Sequence, residues 1–548
     1  MGQQEHRNSW VSRNSDRSTP VSTPVSVSGP VSGLISALLA TLLIWINLIV
    51  PAQAQTQFPT PKTSPPDVTA PASIQPYLDR VIQNVTEFQL DNGMKFIVLE
   101  RHNAPVISFL TYADVGGADE LVGKTGISHF LEHLAFKGTT RIGTSDFAKE
   151  KPLLDRQDQL FEQLKLVKES KQDPETTAKL QAEFQQVDQE LLQLSKQNEF
   201  GQLIEQYGGV GLNATTSADA TNYFFSFPSN KLELWMSLES DRFFDPVLRE
   251  FFKEKAVILE ERRMRIDNSP IGKLIEDYLQ AAFKVHPYRQ PVAGFSDDVK
   301  SMSRGDIQAF FEKFYTPDNL TFAIVGDVDP TLVKTLAQTY FGRIAKRVGS
   351  KRDIPVEPRQ TETRSVELKL KSEPIYLEGY HRPSLNHPDN AIYEAIASLL
   401  SDGRTSRLYK SLVETQKIAL TAEGFNGFPG DKYPNLIMFY ALSAPGQTLE
   451  SVQNGIQTEI QRLKTEPVSA TDLSRIKTNA RASLLRSLDS NSGMAQALMQ
   501  YQIKTGTWRN LFKQLDAINA ITPADIQRVA TETFTPENRT IGKILPAT

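Results

Sequence analysis

Gly305-Asp306-Ile307-Gln308, followed by Tyr315-Thr316-Pro317-Asp318-Asn319-Leu320-Thr321, recurs near the C-terminus of the chain. The second copy reads Ala524-Asp525-Ile526-Gln527, then Phe534-Thr535-Pro536-Glu537-Asn538-Arg539-Thr540, offset by 219 residues at every matched position. In the first copy the apolar run Phe322 to Val325 follows and stops at Gly326-Asp327. A helix, a Thr-Pro turn and a strand are therefore predicted to close each of two similar domains, about 79–345 and about 356–548. The first domain opens with Phe88-Gln89-Leu90, a turn at Asp91-Asn92-Gly93, and Lys95-Phe96-Ile97-Val98-Leu99. An Asn-Gly between alternating apolar residues predicts a hairpin. Strands beside helices at both ends of the repeat make the fold class α+β.

The rest of the chain is consistent with two large units. Its 548 residues exceed one ordinary domain. Hydrophobic residues at 39% and charged residues at 23% are enough for sizeable cores. A net charge of −4, without a basic run, offers no nucleic-acid footprint. Cysteine is absent, which excludes disulfides, thiolate metal sites and cysteine nucleophiles, so any metal must be held by carboxylates and the seven His. Before the body lies a basic, Ser/Pro-rich segment, an apolar run Leu34 to Val50, and Pro51-Ala52-Gln53-Ala54. Residues 1–54 read as an export signal or an uncleaved membrane anchor, placing the body outside the cytoplasm, periplasmic or extracellular. Residues 55–78 read as a Pro-rich linker. Inside the first domain, about 151–204 is expected to be a helical-hairpin insert: from Leu153 to Leu194, Leu, Phe and Val recur at helical spacing, broken at Asp173-Pro174.

Chemistry concentrates in Gly126-Ile127-Ser128-His129-Phe130-Leu131-Glu132-His133-Leu134-Ala135-Phe136. On a helix, His129 and His133 stand one turn apart on one face and offer two imidazoles to one zinc. Glu132 shares that face, within reach of a water on the metal, whose proton it could take. The H-x-x-E-H spacing is the inverted zinc-peptidase motif. With 7 His and 64 acidic residues in 548, it is expected by chance about 0.01 times. A third ligand is required, and Glu254-Lys255-Ala256-Val257-Ile258-Leu259-Glu260-Glu261-Arg262-Arg263 is the best-placed segment. Spacing leaves Glu260 and Glu261 as alternatives. Gly211 to Thr216 and Asp219 to Phe225 alternate like two strands around a turn, and an open strand edge can bind extended peptide.

The segments GISHFLEHLAFKGT, VGLNATTSADATNYFF and KEKAVILEERR, in that order, resemble the pitrilysin and insulin-degrading enzyme family, which includes mitochondrial processing peptidase. The resemblance runs from about residue 85 onward and includes His286-Pro287-Tyr288 and Pro291-Val292-Ala293-Gly294, where His286 is taken as structural. It implies two domains, each a mixed, mostly antiparallel sheet packed with helices, closing as a clam-shell on short or unfolded polypeptides. It implies one zinc per chain on His129, His133 and Glu261, with Glu254 a second functional acid and Asn213, Ala214 and Thr215 aligning the substrate backbone. The 128 residues from His133 to Glu261 exceed the family spacing by about the length of the helical insert. One departure stands out. Single-chain members carry an Arg and a Tyr in the second half that reach the substrate carbonyl, and here those places hold Val413 and Leu420. Arg407 and Tyr409 lie nearby but out of register; the simpler alternatives are that Arg404 or Arg407 substitutes, or that the chain works without the pair. The second half also lacks H-x-x-E-H, so it is a copy without metal. The expectation is a zinc metalloendopeptidase that acts on peptides, with a partner chain supplying the missing pair in a heterodimer. The alternative is a non-catalytic zinc-bearing assembly subunit.

Overall fold

The computed structural model describes residues 75–170, 174–349 and 352–547. The expected export segment, with its apolar run 34–50 and Ala54 site, lies outside the described residues, as does the linker up to residue 74. The last residues assigned to that linker, 75–78, are helical. Gln75–Gln83 forms a helix that buries Leu78 and Val81. Pro76 is tolerated because it sits in the first turn, where its missing N–H has no partner to lose. Among the described residues no helix is long and apolar enough to cross a membrane.

The first half builds a six-stranded sheet from β1 (Val85–Gln89), β2 (Lys95–Glu100), β3 (Val106–Ala113), β4 (Val210–Thr216), β5 (Thr221–Pro228) and β6 (Leu320–Gly326), in the order β1-β2-β6-β3-β5-β4. The second half builds a five-stranded sheet from β7 (Arg364–Leu370), β8 (Ile375–Arg382), β9 (Ala419–Phe428), β10 (Asn435–Ser443) and β11 (Arg539–Pro546), in the order β7-β11-β8-β10-β9. Without β1 the two orders coincide, down to one parallel pair each, β2 with β6 and β7 with β11. The repeated motif explains why. Ser303 and Thr522 cap equivalent helices, Arg304–Phe314 and Pro523–Thr533, each with an Asp at the third position closing a capping box. The repeated Asn then does the same work twice. Asn319 Nδ2 donates to Phe314 O at 2.9 Å and Asp114 O at 3.3 Å, and Asn538 Nδ2 donates to Thr533 O and His381 O, both at 2.9 Å. Each Asn thus ties the end of its helix to the neighbouring central strand as the closing strand enters the sheet.

The central strands of both sheets are buried on both faces, which is why β3, β6 and β10 read as nearly continuous apolar runs. One face of each packs on helices of its own half: Phe96, Phe109 and Phe322 meet Trp235 and Phe341 in the first, and Ile437, Phe439 and Ile541 meet Ile396, Ile456 and Ile526 in the second. The other face is covered largely by a helix from the opposite half. Pro270–Ala282 lays Leu274 and Tyr278 on Leu377, Met438 and Ile544 of the second sheet. Asn491–Thr505 lays Met494, Leu498 and Met499 on Leu110, Ala323 and Val325 of the first. The two helices follow the same repeat and are exchanged reciprocally. A buried polar junction reinforces the contact. Asp219, in the turn between β4 and β5, accepts from the backbone N–H of Asp431 at 2.8 Å and of Lys432 at 3.0 Å, and also from the Tyr288 hydroxyl. Lys504 pairs with Asp431 in the same cluster.

The insert begins at Phe147, ahead of its expected start, because Asp146 caps the helix by accepting from Lys149 N. Helices Phe147–Glu169 and Pro174–Leu194 enclose a small core of Leu154, Leu160, Val187 and Leu191. They are fastened to their own half by Phe252 against Phe161 and Phe184, and by Arg304, which donates to Leu154 O, Gln157 and Asp158.

Candidate metal centre

The motif segment is a short helix, Ile127–Leu134, whose apolar Ile127, Phe130, Leu131 and Leu134 are buried. Its entry is fixed by two devices. Gly126 takes φ +87°, a left-handed turn that a side chain would strain. The carboxylate of buried Glu120 accepts from Gly126 N at 2.7 Å and Ser128 N at 2.8 Å, capping the first turn. Burial pushes the Glu120 pKa up to about 8, against these two hydrogen bonds. A second helix, Phe251–Arg262, docks through Phe251 stacked on Phe130 at 4.7 Å, and so brings Glu254 and Glu261 to the imidazoles.

Glu261 Oε2 lies 3.7 Å from His129 Nε2 and 3.6 Å from His133 Nε2. The three residues form the one group among the described residues able to hold a metal, with donor atoms all within 4.8 Å of one another. A tetrahedral zinc with bonds of about 2.1 Å separates its ligand atoms by about 3.4 Å, so the donor set fits zinc. The alternative left open by spacing is closed. The Glu260 carboxylate is turned outward onto Arg263 Nε at 2.7 Å, and Glu261 faces the histidines.

Around the donors each group has a defined task. Glu254 Oε2 sits 3.1 Å from His133 Nδ1, and its other oxygen takes Lys137 Nζ at 2.6 Å. Glu254 is thus placed to hold the proton on Nδ1, which would leave Nε2 to a metal. Glu132 stands beside the donors but outside them, and its Oε2 accepts from the Thr216 hydroxyl at 2.5 Å. Burial raises its pKa to about 7 despite that hydrogen bond and the nearby His133. Burial, joined by the charge of His133, lowers His129 to about 4. Burial also works against charge on His133, but hydrogen bonds to Glu254 and Glu261 outweigh it and raise its pKa to about 9. Burial likewise opposes the Glu261 carboxylate, yet His133, His129 and Arg265 hold it near 2.

These directions carry a consequence for metal uptake. The raised pKa of His133 favours a proton on it before metal arrives, and binding would expel that proton. The apparent zinc affinity is therefore expected to rise about tenfold per pH unit between about 6 and 8, as one proton is displaced per ion. Chelator-competition titrations at several pH values would measure this, and a flat profile would contradict the assignment.

A cleft of about 910 Å³ opens beside the donors, lined by Glu132, His133, Asn213–Thr215 of β4, and Val257, Glu261 and Met264 on the opposite wall. Among the described residues β4 is an edge strand, paired only with β5, so its outer side is open toward the cleft. The sequence-derived residues His129, Glu132, His133, Asn213, Ala214, Thr215, Glu254 and Glu261 thus gather at one place. His286 does not join them; its Nδ1 accepts from Tyr288 N in an aromatic cluster with Phe283 and Tyr433. Val413 packs against the second core, and Leu420 is 42% exposed at the start of β9. Arg407 pairs with Asp472 at 3.6 Å within the second half. Sequence reading missed Glu120, Lys137, Thr216 and Arg265. Of these only Arg265 carried a signal, its i+4 spacing from Glu261.

Residues 191–295 match the family described as insulinase (peptidase family M16), and residues 301–480 match the peptidase M16 inactive domain. The first match starts inside the insert, beyond the motif helix, so the metal motif stands on its own geometry. The zinc protease PqqE of Helicobacter pylori is 28% identical over 456 residues, 81% of this chain and 89% of that protein. The crystal structure of a protease from Helicobacter pylori is similar with a TM-score of 0.70 and 26% identity, over 84% of this chain and 99% of the other. A peptidase M16 inactive domain from Pseudomonas fluorescens shares the fold with a TM-score of 0.67, covering 85% of this chain and 99% of the other at 14% identity.

Proposed function

We propose that this chain, which belongs to the insulinase (M16) peptidase family, hydrolyses peptide bonds in short or unfolded polypeptides as a zinc metalloendopeptidase. The observation that carries the reading is the convergence of His129, His133 and Glu261 with a buried acid, Glu132, beside them and outside the donor set. Those three residues would hold one zinc, which when bound supplies a Lewis acid for the substrate carbonyl and acidifies water. The chain's own groups do the rest. The β4 edge at Asn213–Thr215 pairs with the backbone of an extended peptide, giving affinity with little demand on sequence. Thr216 holds one oxygen of Glu132, leaving the second to accept a proton from the attacking water. As the water oxygen bonds to the carbonyl carbon and the C–N bond breaks, Glu132 returns that proton to the departing amine nitrogen.

Two further parts of the reading come from sequence. Export is supported by the pattern of residues 34–54, and a partner chain by Val413 and Leu420, which cannot donate hydrogen bonds where single-chain relatives place Arg and Tyr. Incubating the purified full chain with an internally quenched peptide library tests the activity. The expected result is cleavage that a zinc chelator abolishes and added zinc restores. Cleavage by the isolated chain would remove the need for a partner. Absence of cleavage from zinc-loaded protein, even with co-purifying proteins returned, would favour a non-catalytic zinc-bearing assembly subunit.

A further inference from the structure

The ligand Glu261 has two oxygens, and the fold divides them. Oε2 faces both imidazoles, while Oε1 takes Arg265 Nη1 at 2.6 Å. The neighbouring arginines are committed elsewhere: Arg263 to Glu260, and buried Arg262 to Glu276 and the Gly294 carbonyl. Arg265 itself is set by its backbone. The helix carrying Glu261 loosens at Arg263–Asp267 into a π-turn closed by Asn268 N on Arg263 O at 2.8 Å. Such turns are rare and concentrate at functional sites. The next helix packs directly on this turn at Gly272, where a Cβ would overlap the Arg265 carbonyl oxygen. Arg262 on one side and Gly272 on the other therefore fix the turn, and Arg265 reaches both Glu261 and the cleft, which it lines.

A carboxylate can bind zinc through one oxygen or two. A hydrolytic site needs a position left open for water and substrate, so a carboxylate free to swing into two-oxygen binding would fill it. We propose that Arg265 is a positioning residue that occupies Glu261 Oε1, keeps Glu261 a one-oxygen ligand and so holds the fourth metal position open. The inference rests on the zinc reading above, and it assigns Arg265 a role that neither an exposed surface ion pair nor a substrate contact would have. A surface pair contributes little to stability and has no reach into the coordination of a metal.

Co²⁺ in place of zinc gives a readout that does not depend on turnover. The full chain, its Arg265→Met variant and its Arg265→Lys variant would be loaded with Co²⁺, and their visible absorption compared, with circular dichroism and thermal unfolding as checks on folding. Arg265 is about half exposed, so the variants are expected to fold. The expected result is an intense four-coordinate spectrum in the wild type, a weaker five-coordinate one in Arg265→Met, and recovery in Arg265→Lys. With zinc, kcat of Arg265→Met should fall about 10- to 100-fold, the usual range for losing a group that orients a ligand, with KM little changed. Identical spectra in wild type and Arg265→Met would overturn the positioning role while leaving the zinc site intact. Failure of the wild type to take up Co²⁺ or Zn²⁺ would overturn both this inference and the metal reading beneath it.

Discussion

Replacing Glu132 by glutamine is expected to lower kcat about 100- to 10,000-fold while the chain still binds one zinc. The substitution is nearly isosteric, and the Thr216 hydroxyl can donate to the amide oxygen as it does to Oε2. What is lost is the ability to take a proton. Glu132 is outside the donor group of His129, His133 and Glu261, so metal content should not follow activity downward. Burial raises the wild-type residue to about 7 before metal is present, a value suited to a general base near neutral pH. A nearby divalent cation favours the carboxylate, so the acidic limb of kcat/KM is expected at or below pH 7, with activity rising as Glu132 loses its proton. Zinc analysis alongside peptide hydrolysis makes the measurement. Loss of zinc in the variant would mean that Glu132 is a ligand, and full activity would remove it as the base.

Arg249→Met is expected to destabilise the first half by about 3–5 kcal/mol, seen as a lower urea midpoint, because it strands a buried carboxylate. Arg249 and Glu150 are each 2% exposed and meet at 2.7 Å. The same guanidinium donates to Lys137 O at 3.1 Å, Ile142 O at 2.9 Å and Thr139 O at 2.5 Å, so it pins the loop leaving the motif helix to the base of the insert. Lys137 in that loop holds Glu254, which holds His133, so the variant should also bind zinc more weakly. Removing both charges with Arg249→Met and Glu150→Gln should cost less than the sum of the single changes. Additive costs would show that the pair is not the source of the effect.

What the sequence disclosed depended on how local the physics was. His129, Glu132 and His133 were legible because one helical turn fixes their relation before any tertiary contact forms. Glu261 was half legible: its helix could be seen, but the choice against Glu260 turned on which face Phe251 docks, a contact with Phe130 over a hundred residues away. The 219-residue repeat foretold two like domains, and the paired roles of Asn319 and Asn538 show why those residues recur. Arg249 and Glu120 gave no signal, because their partners are set by loop geometry without any period. The Gln75–Gln83 helix was hidden by the prolines before it, although Tyr77, Leu78, Val81 and Ile82 already formed an apolar stripe.

The exchanged helices make the covalent link between the halves nearly redundant. With Pro270–Ala282 seated under the second sheet and Asn491–Thr505 under the first, a nick in the exposed stretch near Val356 would cut the chain without releasing either piece. The halves are clasped, each holding a part of the other that its own sheet cannot spare. The spacing of the two sheets is set by packed helices rather than by a tether.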